Sequence, residues 1–205
     1  MNYNTLSTKE VIDKTIKALA SKNIETILVK NKTQALDKIK ELIPPGASVM
    51  NGASITLEQI GFIDYLKSGT HGWNNLHELI LSEKDPAKQA ILRKQSVLSD
   101  FYLGSVHALV ENGDLVIASN TGSQLPHIVF TSPNLIFVVS TKKIVPNLAE
   151  AMRRLEEYIV PLEDKHMVEK YGAHTAINKV VIFKNENPMM GRKVRMILVE
   201  EDLGF

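Results

Sequence analysis

Between residues 105 and 145 the chain alternates apolar runs with short polar joints, and this pattern constrains the fold more than any other stretch. The runs SVHALV, LVIAS, HIVF and LIFVVS are separated by ENGD, NTGSQLP and TSPN. Asn112-Gly113, set between two β-rich runs, predicts a tight hairpin turn. The uninterrupted apolar run at 135–139, just after Ser132-Pro133-Asn134, predicts a strand covered on both faces. The joint Asn120-Thr121-Gly122-Ser123-Gln124 carries no hydrophobic side chain. Its glycine lets backbone approach a ligand closely, and its hydroxyls and amides supply donors and acceptors. The alternative for the same residues is a polar turn with no ligand.

The rest of the chain reads as helices alternating with strands. Ser7, with Glu10 three residues on, forms a capping box ahead of Val11, Ile12, Ile16 and Leu19 at helical spacing. A strand is expected over 24–29. Asn31 and Gln34 open a second helix that Pro44-Pro45-Gly46 stops, and a short strand follows at 48–50. Residues 51–61, NGASITLEQIG, then run from a strand through small residues into a helix. Free backbone N–H groups at such a junction attract phosphate or carboxylate, which makes Gly52, Ser54 and Thr56 candidate ligand contacts. The plain alternative is that Thr56 and Gln59 cap the helix and that Glu58 sits in its first turn for electrostatic reasons.

Asp85-Pro86 marks a further helix start. His71 and His77 lack the spacing of a helical metal pair, and Trp73, the sole tryptophan, reads as a core anchor. Lys142 and Lys143 follow the buried strand; a lysine at the carboxyl end of such a strand can reach a ligand in the crevice, or simply solvate the strand end. Asn147 and Glu150 cap another helix, with Leu148, Ala151, Met152 and Leu155 on one face and Arg153 and Arg154 toward solvent, or Arg153 turned toward the loops. Two β-rich runs, 177–183 and 194–199, flank a long hairpin-like loop.

Composition narrows the function. With 44% apolar residues in 205, the chain can bury a sizeable core. Its net charge of +1 argues against nucleic-acid binding driven by charge. The absence of cysteine excludes disulfides, thiolate catalysis and cysteine-held clusters within this chain. No apolar signal core and no membrane-length apolar run is present, so a cytoplasmic location is expected. Neither a phosphate-binding P-loop nor the dinucleotide glycine fingerprint occurs, which makes a nicotinamide-dependent dehydrogenase a poor fit.

In order along the chain, several segments resemble the lactate-utilisation (LUD) domain family, the group that includes lactate utilization protein C. They are IPPGASVM at 43–50 with the following Gly-x-Ser-x-Thr-Leu-Glu-x-Ile-Gly, then LGSV at 103–106, Gly113-Asp114 and Thr121-Gly122-Ser123. Lys143-Ile144-Val145 with Asn147, Ala151 and Arg153, and the tail from Gly191-Arg192 to Leu203-Gly204-Phe205, complete the match. The resemblance implies an α/β fold, a mostly parallel sheet sandwiched by helices and similar to the isomerase/CoA-transferase-like group. It treats residues 1–205 as one LUD domain, with an N-terminal helix within 1–22 and a hairpin-like segment at 177–205. It also implies an association with bacterial oxidation of L-lactate to pyruvate, with iron–sulfur clusters held by partner proteins. Relatives commonly carry an arginine where Gln124 stands; glutamine cannot supply that charge to a carboxylate.

These observations lead to two expectations. In one, Gly52, Ser54, Thr56, Asn120, Thr121, Gly122, Ser123 and Gln124 wall a crevice for a small anionic metabolite, Lys142 or Lys143 supplies the counter-charge and Glu58 is the acid/base. In the other, the chain is a non-catalytic module of a lactate-oxidising iron–sulfur complex. Neither requires a metal or cofactor in this chain, and assembly into a homo-oligomer is left open.

Overall fold

The apolar run at 135–139 lies within a seven-residue strand, Asn134–Ser140, that is buried from Leu135 onward. Alternate side chains enter different cores, as the two-residue period of a strand requires. Leu135, Phe137 and Val139 point into one, and Ile136 and Val138 into another. A strand between two cores has no wet face, which is why its sequence has no polar alternation.

The computed structural model describes residues 2–205. Along the chain run α1 (Lys9–Ser21), β1 (Ile24–Val29), α2 (Lys32–Leu42), β2 (Ser48–Asn51), α3 (Ile55–Gln59), α4 (Phe62–Lys67) and β3 (Asn74–Asn75). Next come α5 (Leu76–Ser82), α6 (Pro86–Gln95), β4 (Phe101–Gly104), β5 (Ala108–Val110), β6 (Leu115–Ser119) and β7 (Asn134–Ser140). The chain finishes with β8 (Ile144–Val145), α7 (Leu148–Arg153), α8 (Val160–Tyr171), β9 (Lys179–Phe183) and β10 (Lys193–Val199). Between α7 and α8 the helical path continues through a more widely wound stretch, Arg154–Ile159.

Six strands form a parallel sheet in the order β1-β10-β7-β4-β2-β3. The other four form a second, mixed sheet, β8-β5-β6-β9. The architecture is therefore α/β, with a mostly parallel central sheet flanked by helices. A single sheet does not hold all the strands. The Asn112-Gly113 turn makes β5 and β6 antiparallel, with Ala108 opposite Val116, and Gly113 takes φ +86° there. Such a hairpin has no place in an all-parallel sheet and founds its own.

Apolar side chains fill three layers. One core lies between the sheets, joining Leu109, Leu115 and Ile117 to Phe137, Val139, Met196 and Leu198. A second lies on the far side of the parallel sheet under α2, α3 and α4, around Ile39, Leu57 and Phe62. The third packs Ala108, Val110, Val116 and Ala118 against Ala151, Leu155 and Ile159 of the long helical stretch. At the hairpin, Asp114 is buried and paired with Lys22 and, at 2.7 Å, with Lys184. Burial pushes its carboxyl up, but hydrogen bonds from Lys184, Lys22 and Asn112 outweigh that and hold it below the usual range.

Local signals fared unequally. Asp85 caps α6 with Pro86 in its first turn, and Asn31 and Asn147 cap α2 and α7. Thr8, not Ser7, caps α1; the Ser7 hydroxyl donates instead to the Thr141 carbonyl at 2.8 Å. Trp73 is buried and donates Nε1–H to Ile43 O at 3.1 Å, while His71 stacks on it. The two C-terminal runs are not a hairpin. β9 pairs antiparallel with β6, whereas β10 lies between β1 and β7 in the other sheet. The reason is burial: β9 has one wet face, but β10 is apolar enough for the centre of a parallel sheet. The crossing is anchored by Arg192, which donates to the carbonyls of Ser132, His127 and Ile128 and pairs with Glu186 at 3.4 Å.

Because Phe137 is fully buried where the two sheets meet, Phe137→Ala is expected to lower the unfolding free energy by about 3–5 kcal/mol in urea denaturation.

Candidate functional site

A cavity of about 320 Å³ opens where the carboxyl ends of β2, β4 and β6 come together. In open α/β sheets, ligands are received at such ends. Its walls come from residues distant in sequence: the loop after β2 (Gly52–Thr56), the segment after β4 with Ser105 and His107, and the loop after β6 with Asn120 and Thr121. Lys143 forms part of the lining, Glu163 of α8 closes one side, and Gly204 and Phe205 return to complete it.

Each wall has a local cause. Ser54 caps α3, its Oγ accepting from Leu57 N–H at 3.3 Å. That frees Thr56, expected to share the capping, to turn inward and accept from Lys143 Nζ at 3.2 Å. Gly52 is needed for space: a Cβ there would lie 2.4 Å from Tyr102 Oη and 2.8 Å from Gln124 Oε1. Gln124 spans the wall, donating Nε2–H to Ala118 O at 2.9 Å and accepting from Tyr102 Oη at 3.3 Å. Thr121 and Ser123 hydrogen-bond one another at 3.1 Å, and Asn120 Oδ1 accepts from Asn178 at 2.6 Å.

Lys143 is the centre of the site. It follows β7 in a tight turn, Thr141–Lys143, that leaves the parallel sheet for β8. Its ammonium donates to Thr56 Oγ1 and Ser105 Oγ, both at 3.2 Å, and to Val106 O at 3.3 Å. All three acceptors are uncharged. Burial, reinforced by the charges of Arg154 and Lys142, pushes its pKa down to about 7. Arg154 lies behind it, fully buried in the wide-wound stretch. One Nη donates to the His107 carbonyl, and the guanidinium lies 5.5 Å from the Tyr3 ring centroid and 5.4 Å from that of Tyr158. Arg154 Nε and Nη2 are buried without a hydrogen-bond partner, and burial lowers the pKa to about 10. Among the described residues neither Lys143 nor Arg154 has an ion-pair partner.

His107 lines the same cavity. Its Nδ1 accepts from Ala118 N–H at 3.1 Å, so the neutral ring carries its proton on Nε2. Burial, then the charges of Lys143 and Arg154, drives its pKa to about 3, and it stays neutral at ordinary pH. Glu163 is the lining carboxyl. Burial raises its pKa, and the nearby Glu58 charge adds to the effect against opposition from His166 and Lys170.

The structure brings Gly52, Ser54, Thr56, Asn120, Thr121, Ser123, Gln124 and Lys143 to one cavity. Three expected residues do not line it. Glu58 is on the outer side of α3, exposed and paired with Lys170 at 3.0 Å. Lys142 points the other way from its neighbour and pairs with Asp202. Gly122, at φ +85°, lets the loop pass over Lys179, whose Cδ would lie 2.8 Å from an added Cβ. Arg154 is buried, not solvent-facing; only Arg153, paired with Glu150 at 2.8 Å, is at the surface. Sequence reasoning missed His107, Ser105, Arg154, Glu163 and Gly204. A signal existed for two: His107 interrupts an apolar run, and Arg154 sits three residues after Ala151 on the apolar helix face.

The molecule is thus an α/β protein with a strand-end cavity lined by hydroxyl groups and by Lys143, a cation with no ion-pair partner among the described residues. It belongs to the LUD domain family, whose model matches residues 12–178, and that family is linked to lactate utilisation. The fold is similar to that in the crystal structure of a DUF162 family protein from Deinococcus radiodurans, with a TM-score of 0.53 at 10% identity over 95% of this chain and 98% of that one. None of the curated proteins compared matches the sequence.

The depressed Lys143 pKa has a signed consequence. In the unfolded chain the amine holds its proton up to about 10.5, whereas in the folded protein it releases it near 7. Over that window the unfolded state binds more protons, so this group makes stability rise with pH. Urea denaturation at about pH 6 and about pH 9 should show the difference between wild type and Lys143→Met moving toward wild type by up to about 1.4 kcal/mol per pH unit above pH 7.

Proposed function

We propose that the cavity binds a small carboxylate of the 2-hydroxy- or 2-oxo-acid class, in keeping with the family's link to lactate utilisation. The observation that carries this reading is the Lys143 ammonium, buried against the cavity with three neutral acceptors and, among the described residues, no carboxylate partner. Its charge, with that of Arg154 behind it, is uncompensated inside the protein, and an entering anion supplies what is lacking. Ser54, Thr56, Ser105 and Thr121 offer hydroxyls, and the loops at 52–56 and 120–124 hold them at one rim. Gln124 has both ends of its amide engaged in the wall, so it shapes the site and adds no charge. Glu163, a carboxyl that holds its proton more readily than usual, takes the acid/base role first expected of Glu58 and can exchange a proton with the ligand's hydroxyl or carbonyl oxygen.

Titration calorimetry with L-lactate, pyruvate and the uncharged analogue lactamide tests this. Lactate or pyruvate should bind at about pH 6 and at least tenfold more weakly at about pH 9, because the Lys143 ammonium is lost while His107 is neutral throughout. Lactamide should not bind, and Lys143→Met should lose the carboxylate. Equal affinity for lactate and lactamide would refute the reading.

A second reading is supported by the lack of cysteine together with one surface feature. Electrons drawn from a bound hydroxy acid would leave to a cluster on another chain, as in a lactate-oxidising iron–sulfur complex. The turns Ser96–Leu98 and His127–Thr131 pack together and expose Leu98, Val129 and Phe130, the first at 75%. Scattered apolar residues are ordinary, but three on adjoining turns suit a docking surface. Size-exclusion chromatography with purified iron–sulfur oxidoreductase subunits should give a complex that Phe130→Asp weakens; an unchanged complex would remove this face from consideration.

A further inference from the structure

We propose that Lys143 is a nucleophilic amine that condenses with the carbonyl carbon of a small 2-oxo acid to form an imine within the cavity. The proposal rests on the reading that the cavity accepts small carboxylates, and it makes the bound species covalent.

Two adjacent lysines provide the contrast. Lys142 forms an ion pair with the Asp202 carboxylate outside the cavity. Lys143 turns inward, and its Nζ is fixed by Thr56 Oγ1, Ser105 Oγ and Val106 O, with no carboxylate among the described residues to hold the proton on it. The space beside the amine exists because residue 204 is glycine. A Cβ there would lie 2.8 Å from Lys143 Nζ and 2.4 Å from Thr56 Oγ1. Gly204 is itself held in place, its φ at +69° and its N–H donating to Gln59 Oε1 at 2.6 Å. A buried lysine beside another cation is the arrangement by which proteins expose a free amine near neutral pH. The depressed pKa of Lys143 agrees with that geometry.

The step balances without an oxidant or reductant. The Nζ lone pair attacks the C2 carbonyl carbon, forming the C–N bond as the C=O π pair moves onto oxygen. A proton passes from nitrogen to that oxygen, giving a carbinolamine. Its C–O bond then breaks and the hydroxyl leaves as water, taking a proton from a carboxylic acid, while the nitrogen pair closes the C=N bond to give a protonated imine, whose remaining N–H proton returns to the carboxylate to leave the imine and the acid. Glu163 is the lining carboxyl able to give that proton, since burial and the Glu58 charge keep it protonated more readily than usual. The ligand's own carboxylate remains free to answer the Arg154 charge behind the wall.

Incubation of the protein with sodium pyruvate and sodium borohydride, followed by intact-mass measurement and peptide mapping, tests the inference. Borohydride reduces the imine to a stable secondary amine, so the expected result is one added carboxyethyl group on Lys143, at least tenfold over Lys142 or any surface lysine. L-lactate, which carries a hydroxyl and no carbonyl at C2, should give no adduct. Lys143→Arg keeps the positive charge and removes the nucleophile; it should give no adduct, with its fold checked by circular dichroism. Should that variant not fold, the mapped position in the wild type decides alone. Unmodified Lys143 under conditions where pyruvate still raises the melting temperature would overturn the imine and leave the anion site standing. Unmodified Lys143 with no effect of pyruvate on melting would overturn both. Adducts spread evenly over the lysines would also overturn the proposal.

Discussion

The structure depends on one strand being covered twice. β7 has Leu135, Phe137 and Val139 against the second sheet and Ile136 and Val138 against the helices on the other side. A chain leaving such a strand cannot step straight into water. It leaves through the tight turn Thr141–Lys143, passes to β8 and so joins the two sheets. Consecutive side chains of that turn diverge, and this separates Lys142 at Asp202 from Lys143 at the cavity. The site's central cation is therefore a by-product of how the sheets are linked.

Placing cations there is unfavourable for folding. Charges taken from water without a partner lose hydration that neutral oxygens replace only in part. The protein softens this in different ways at its two buried cations. Lys143 meets three oxygen acceptors and gives up its proton readily. Arg154 keeps its charge and lies over the neighbouring rings of Tyr3 and Tyr158, whose π faces attract a cation. The helix around Arg154 is wound wider than an α-helix, a local irregularity often found at functional positions. Stability alone does not account for groups retained at such expense, and the proposed anion site gives them a use.

Much of the scaffold was legible from residues alone. Asn112-Gly113 specified its turn, Asp85-Pro86 its helix start, and the run at 135–139 its double burial, because each is decided by near neighbours. The second sheet was not legible, since nothing local in 177–183 or 194–199 says which distant strand each will join. The same limit applies to the site. The small residues at 52–56 and 120–124 announced themselves by composition. Lys142, however, looked equivalent to Lys143 until the exit of a strand separated them, and Glu58 drew the acid/base role while Glu163, on a helix distant in sequence, carried no signal. His107 and Arg154 were visible as polar residues at apolar positions, but their meaning depended on a cavity assembled from elsewhere.

The rim of the smaller sheet has a different consequence. β9 is its outermost strand and leaves Val180 and Ile182 exposed beside unpaired backbone edge groups. Such a border invites a stray β-segment to add itself, the first step toward fibrils. Lys179 and Lys184 stand at the two ends of the strand, where their charges act as gatekeepers against stacking. A fusion peptide or affinity tag rich in β-formers would best be kept away from this border, and crowding at high protein concentration would be felt here first.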